Sequence, residues 1–419
     1  MTRSDSGFWE QFVEQHWERA PMNVLRDFTQ PPLQPEQLFE VLLSAGGQAR
    51  GGASLRLFIG GRVQEGETLQ KLLPRREDGS LRGFDARMKD VAGEAGYTLI
   101  VNNLEALSFE LWQWSREFIR PLFQLRGMNN LGSYYALFLG DYRATPAGVH
   151  YDPESVFHFP VLGRKRIRVW EPSYVSHHPR LCNATFYEEH LGASRLLEAE
   201  PGGVIYWPSG MWHVGESSGE FTASLAFSML CINPMSPMFT LYLRQLLEAA
   251  GDAGPRPARW NAHPFEPDDL QATVSTVPPT LAKLGTQMRR LYDEERLAAL
   301  WMRLCTGYGF YNPPQPLEVS GLTLEDSLRV DPRYPVVCQR MRDGGLLVSA
   351  NGGLWRTRGA AERGVQLLNR GGPVPVWRVI EEAGVSASED AGRELYELLE
   401  QLVAWRAAGK VAENGRAGD

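Results

Sequence analysis

Cysteine is scarce in this chain. There are 4 in 419 residues, at positions 182, 231, 305 and 338, and no two form a CxxC pair. That scatter builds no disulfide framework and points to a reducing compartment. Lysine is scarce too, with 5 against 38 arginines, so each lysine position carries information. No apolar run approaches the ~20 residues that span a bilayer. The opening MTRSDSGFWEQF lacks the apolar stretch of a secretory signal, so a cytoplasmic location is expected. Positive charge is not in surplus either. A net charge of −7 and a pI near 5.7 argue against general affinity for nucleic acid or anionic membrane. Internal repeats and low-complexity tracts are absent. What remains is an ordinary globular composition, 43% hydrophobic and 22% charged, with chain enough for two or three domains.

The pattern along the chain divides it in three. Residues 8–24 show helical spacing that stops at Pro21, and 31–45 read as a second helix led by proline. Strand-like pieces follow in SLRLFIGG, YTLIVNN and SYYALFLGDY, with the helical SFELWQWSREFIRPLF between the last two. From about 148 to 232 the alternation in RKRIRVW, GGVIYWP and EFTASLAFSML is mainly that of strands. Strands preceded by helices suggest a barrel or double-sheet jelly roll with flanking helices over residues 1–235. Residues 236–311 read as a helical linker or dimerisation region, with helices at 239–251 and 279–307. Residues 312–419 combine a hairpin turning at Asn351–Gly352 with three short helices, which predicts a winged-helix-like α+β domain. Its basic and acidic residues balance, 11 of each from 340 to 419. A nucleic-acid reader needs a positive surplus, so a protein-contact or dimer-supporting role is expected.

The chemistry concentrates in GVHYDPESVFHFPVLGRKRIRVWEP, residues 148–172. On a strand His150 and Asp152 project the same way, which suits two adjacent positions around a metal. A third ligand is offered by His213, delivered by the turn in PGGVIYWPSGMWH. Two histidines and one carboxylate with open positions opposite is the donor set of non-haem Fe(II) oxygenases. In RKRIRVW, Lys165, Ile167 and Val169 share one face and Arg164, Arg166 and Arg168 the other. Lys165 therefore points inward, where an unpaired ammonium is costly. It is placed to meet the far carboxylate of a dicarboxylate co-substrate.

HYDPESVFHFPVLGRKRIRVW resembles the HxD…VF…GxKxWxL signature of JmjC-type, cupin-like Fe(II)/2-oxoglutarate oxygenases, especially the bacterial ribosomal-oxygenase branch. FWEQFVEQHWERAP is similar to that family's amino-terminal FxxxxWxxxP. The resemblance implies Fe(II) on His150, Asp152 and His213, 2-oxoglutarate on Lys165, and O2 as oxidant. Hydroxylation of a protein or peptide side chain is then coupled to conversion of 2-oxoglutarate to succinate and CO2. It further implies polar contacts to 2-oxoglutarate from Ser224 or Ser228, with Tyr135 and Thr145 as lesser candidates. His158, where relatives are apolar or aromatic, and Trp212, beside the third ligand, are expected to meet substrate. His177, His178 and His190 fall in a polar insertion and are expected to be solvated. The family's VFxxQ glutamine is Pro160 here, which requires an edge or bulge. Its preceding acidic residue is Gly203, and the tryptophan of GxKxW is Ile167. N-demethylation by the same chemistry, and a non-catalytic metal-binding scaffold, are the alternatives. A homodimer is a further expectation.

Overall fold

The computed structural model describes residues 6–45, 53–128, 132–217, 219–231, 294–319 and 321–411. Its amino-terminal half is a pair of antiparallel sheets. In chain order the strands are β1 (Met22–Val24), β2 (Ser54–Ile59), β3 (Arg62–Gln64), β4 (Tyr97–Asn102), β5 (Ser133–Asp141), β6 (Glu154–Leu162), β7 (Lys165–Trp170), β8 (Arg195–Ala199), β9 (Val204–Trp207), β10 (Trp212–Glu216) and β11 (Thr222–Leu230). Eight of them form one sheet in the order β1-β9-β6-β11-β5-β4-β2-β3. The other three form a small sheet, β10-β7-β8.

Each face of the large sheet has its own partner, because side chains alternate along a strand. On one face Leu57, Leu99, Tyr135, Leu137, Phe157 and Phe227 pack with helix residues such as Trp9, Phe12, Trp112 and Ile119. The first helix, Ser6–Gln15, docks by Phe12, whose ring centroid lies 4.7 Å from that of Tyr206. The helix Phe109–Arg126 starts at Ser108, whose hydroxyl accepts the Leu111 N–H at 3.2 Å, a side-chain cap on a free helix-end donor. On the other face Ala136, Val156, Ile205 and Ala226 meet Ile167, Val169 and Leu197 of the small sheet. β6 is covered on both sides and is buried from Glu154 to Val161. Pro160 sits where the register between β6 and β11 shifts, opposite Ser224, so a bulge accommodates the missing N–H.

The helix Glu294–Thr306 is the described part of the expected 279–307 helix. The expected helix at 239–251, and most of the 236–311 region, lie outside the described residues. Beyond Glu294–Thr306 the chain runs against the back of β5, where the Ser133 N–H donates to the Gly309 carbonyl at 2.7 Å and Phe310 joins the main core. Strands β12 (Ser327–Val330), β13 (Val337–Arg340), β14 (Gly345–Ala350), β15 (Gly353–Arg358), β16 (Val374–Pro375) and β17 (Ala408–Val411) make two small sheets. Helices Ala361–Leu368, Val376–Ala383 and Asp390–Ala404 pack on them around a second core. The β14–β15 hairpin turns at Asn351 and Gly352, both at positive φ, as a two-residue hairpin loop favours. Among the described residues no helix is long and apolar enough to cross a membrane.

Candidate metal centre and cavity

Between the two sheets lies a cavity of ≈ 670 Å³. Three groups converge at one side of it. His150 lies in the segment entering β6 and not on a strand proper. It is held by a single bridge to His213, the His150 N–H donating to the His213 carbonyl at 3.0 Å and the reverse bond measuring 2.7 Å. Asp152 follows, its carbonyl accepting the Gly210 N–H at 2.8 Å. The expectation that His150 and Asp152 share a regular strand is thus corrected: a pinned loop brings them together. The Asp152 carboxylate stands 3.5 Å from Nε2 of each histidine, and the three donor atoms lie within 4.8 Å of one another.

The back of each imidazole is fixed. Nδ1 of His150 is 2.8 Å from the Gly148 carbonyl, and Nδ1 of His213 is 3.0 Å from that of Met211. A carbonyl accepts only from N–H, so both Nδ1 atoms carry a proton and both Nε2 atoms are turned toward Asp152. Burial, then the neighbouring His150, pushes His213 down to about 4, which keeps it neutral at physiological pH. Burial works against charge on both His150 and Asp152, but their mutual contact prevails, raising His150 and lowering Asp152. Two imidazoles and one carboxylate, oriented from behind, fit a first-row divalent metal, whose binding displaces any proton on Nε2 of His150.

Lys165 lies at the enclosed end of the cavity, only 1% exposed. Its ammonium donates to the Tyr142 hydroxyl at 2.6 Å. Burial pushes it down to about 7, with Glu216 pulling upward. The arginines of the same stretch face out, Arg164 onto Glu200, Arg166 onto Glu198 and Arg168 onto Glu216. Gly215 makes room for the lysine, since a Cβ there would stand 2.9 Å from Nζ and 3.0 Å from Thr145. Thr145 and Ser228 line the cavity, the Thr145 hydroxyl accepting the Gly215 N–H at 3.3 Å. His158 also lines it and is 2% exposed. Its Nε2 is 2.7 Å from the Ser224 hydroxyl while Nδ1 has no partner. Burial, then Lys165 and His213, holds this histidine well below its ordinary value.

Three sequence expectations need correction. Tyr135 points into the core behind the sheet, its hydroxyl 3.0 Å from Ser115. Its neighbour Tyr134 lines the cavity, because adjacent strand residues face opposite ways. Trp212 precedes His213 on β10 and so faces away, packing 5.0 Å from Tyr151, while Trp207 walls the cavity. Ser224 backs His158 and does not line the cavity itself. Tyr134, Tyr142 and the β2–β4 wall were missed. For the two tyrosines, the period-2 alternation running back from the HxD segment is the available signal.

Residues 124–236 match the family model for the JmjC domain. Two solved structures of the Escherichia coli ribosomal oxygenase YcfD share the fold. The complex with cobalt and succinic acid is 18% identical, covers 96% of this chain and 98% of its own, and has a TM-score of 0.50. The complex with cobalt and 2-oxoglutarate is 17% identical with the same coverage and TM-score. No curated protein sequence matches the chain.

Proposed function

We propose that this JmjC-domain chain is an Fe(II)- and 2-oxoglutarate-dependent oxygenase that hydroxylates a side chain of a protein or peptide. The observation that carries the reading is one cavity holding two kinds of site. At one side stand His150, Asp152 and His213 with donor atoms within 4.8 Å. At its enclosed end is the buried Lys165. A metal alone needs only the first, whereas a co-substrate anionic at both ends uses both. One of the E. coli structures holds cobalt with 2-oxoglutarate, the pair of ligands this arrangement suits.

His150, Asp152 and His213 would hold Fe(II), and the carbonyls behind the two histidines keep their rings aimed. Lys165 would bind the outer carboxylate of 2-oxoglutarate. Tyr142, already bonded to Nζ, fixes where the ammonium sits. Thr145 and Ser228 are contacts along the bound co-substrate, and Ser224 acts through His158. Trp207 and Ile167 wall the cavity and keep water from the bound groups. Iron, 2-oxoglutarate and O2 together supply the oxidising chemistry, with succinate and CO2 as by-products. Residues 1–235 form the catalytic unit, 236–311 a linking or dimerising region, and 312–419 a winged-helix-like support.

The test is anaerobic binding of Fe(II) and 2-oxoglutarate, followed by their charge-transfer absorbance, and then succinate formation on admitting O2. Wild type binds and turns over slowly, His150→Ala loses both signals, and Lys165→Ala weakens 2-oxoglutarate binding by about tenfold or more. Metal binding without any uptake of 2-oxoglutarate would replace this reading with a metal-binding scaffold.

A further inference from the structure

The large sheet is wider than the small sheet that faces it. The core between the sheets takes its large-sheet side chains from β5, β6, β9 and β11, and none from β4 or β2. The inner faces of β4 and β2 therefore continue past the small sheet as a shelf opening from the cavity. Along β2, Arg56 and Phe58 face this shelf, while Leu57 between them is fully buried in the core behind. On β4, Ile100 is paired in register with Arg56, and Asn102 with Ser54; both β4 residues also line the shelf. The shelf thus offers an apolar patch, an amide and a guanidinium in adjoining positions.

Charge decides what the shelf suits. Arg56 is exposed and makes no ion pair or hydrogen bond among the described residues. Among the described residues lining the cavity, the only carboxylate is that of Asp152, which belongs to the metal centre. Lys165 is committed at the enclosed end. Among the described residues Arg56 is thus a cation without a counter-charge on the open path to the centre. β2 lies four strand spacings from β6, and His150 and Asp152 sit in the segment that enters β6. Along the sheet that separation is about 19 Å, or about six residues of extended peptide.

We propose that the shelf seats an extended acidic segment of the protein or peptide substrate. A substrate Asp or Glu carboxylate pairs with Arg56 about six residues from the side chain presented to His150, Asp152 and His213. Phe58 and Ile100 take an apolar side chain between them, and Asn102 bonds the peptide backbone. This names the substrate class of the oxygenase proposed above and rests on that reading only for what happens at the metal centre.

The probes are two pools of fluorescein-labelled peptides of about fifteen residues, randomised except for Glu or Lys fixed about six positions from the centre. Binding is read by fluorescence anisotropy with the Fe(II)- and 2-oxoglutarate-treated protein under anaerobic conditions. 2-Oxoglutarate uptake is read on the same samples by absorbance. The Glu pool is expected to bind about fivefold tighter than the Lys pool or better. Arg56→Glu reverses the preference, and Arg56→Lys keeps it. Both variants retain the wild-type unfolding midpoint and 2-oxoglutarate signal, because Arg56 is exposed and remote from the enclosed end. Equal binding of the two pools, no binding of either, or a preference untouched by Arg56→Glu overturns the proposal. A Glu preference that depends on Arg56 without 2-oxoglutarate uptake sinks the oxygenase reading and leaves the acidic-peptide shelf standing.

Discussion

Burial sets the charge state of Lys165, the residue proposed to meet 2-oxoglutarate. In the ligand-free cavity its ammonium is pushed down to about 7, so charge and neutrality are nearly balanced at physiological pH. A bound carboxylate favours the charged form. Above pH 7, therefore, binding must take up a proton, and 2-oxoglutarate affinity should fall by up to about tenfold per pH unit. Below pH 7 the lysine is already charged and affinity should level off. Arginine stays protonated throughout, so Lys165→Arg should flatten the profile even if it binds less well. Dissociation constants measured across this range, for wild type and variant, check the slope. His158 follows the same physics differently. The position is apolar or aromatic in the family it resembles; here burial, then the nearby Lys165, keeps the ring neutral, and an unpartnered nitrogen remains in the cavity wall.

At the scale of elements, the sheet places its own polar groups with little margin. Glu105, in the short turn Leu104–Leu107, is completely buried. One carboxyl oxygen accepts the Tyr135 N–H of β5 at 2.9 Å, and the other has no partner. Burial pushes this group up to about 8 from an ordinary 4.5. A raised carboxyl pKa means the folded state holds a proton that the unfolded state has released. The resulting stability is therefore full below about pH 4.5 and is lost as pH rises towards 8. Glu105→Gln keeps the acceptor and cannot ionise. Between pH 5 and pH 8 its stability relative to wild type should rise by more than ~1 kcal/mol. Paired denaturant titrations at the two pH values check this, and a constant difference would contradict it. The element itself was not legible, since nothing in LEAL says that its glutamate caps a strand formed about 30 residues later.

The whole molecule is joined through the side of the large sheet away from the cavity. Arg116 is 4% exposed, its guanidinium 4.0 Å from the ring centroids of both Trp112 and Tyr334. It donates to the Asn351 side chain at 2.8 Å. Trp112 adds a bond to the Gly307 carbonyl at 3.3 Å. These contacts fasten residues 294–411 to the helix Phe109–Arg126. None of those carboxy-terminal residues lines the cavity, so among the described residues the entrance is shaped by the double-sheet unit alone. Arg116→Ala should cost about 2 kcal/mol at this junction. Calorimetric unfolding should then separate the two units, and proteolysis should speed up at the exposed stretch Gln315–Glu318. A single unshifted transition would show that the junction is held elsewhere.

The sequence by itself determined the parts whose signals are local. Strand alternation placed Lys165 inward and its arginine neighbours outward. Asn351–Gly352 marked a hairpin, because two successive residues at positive φ suit few other pairs. HxD with a later PxGxxH proposed three ligands that the structure brings together. Tertiary structure alone decided the rest. Whether Tyr134 or Tyr135 faces the cavity turns on a register set by pairing with β11 and β4. Tyr142 reaches Lys165 only because strands far apart in sequence fold into facing sheets. The shelf at Arg56 exists because one sheet is wider than its partner, a consequence of long-range pairing that no single segment encodes.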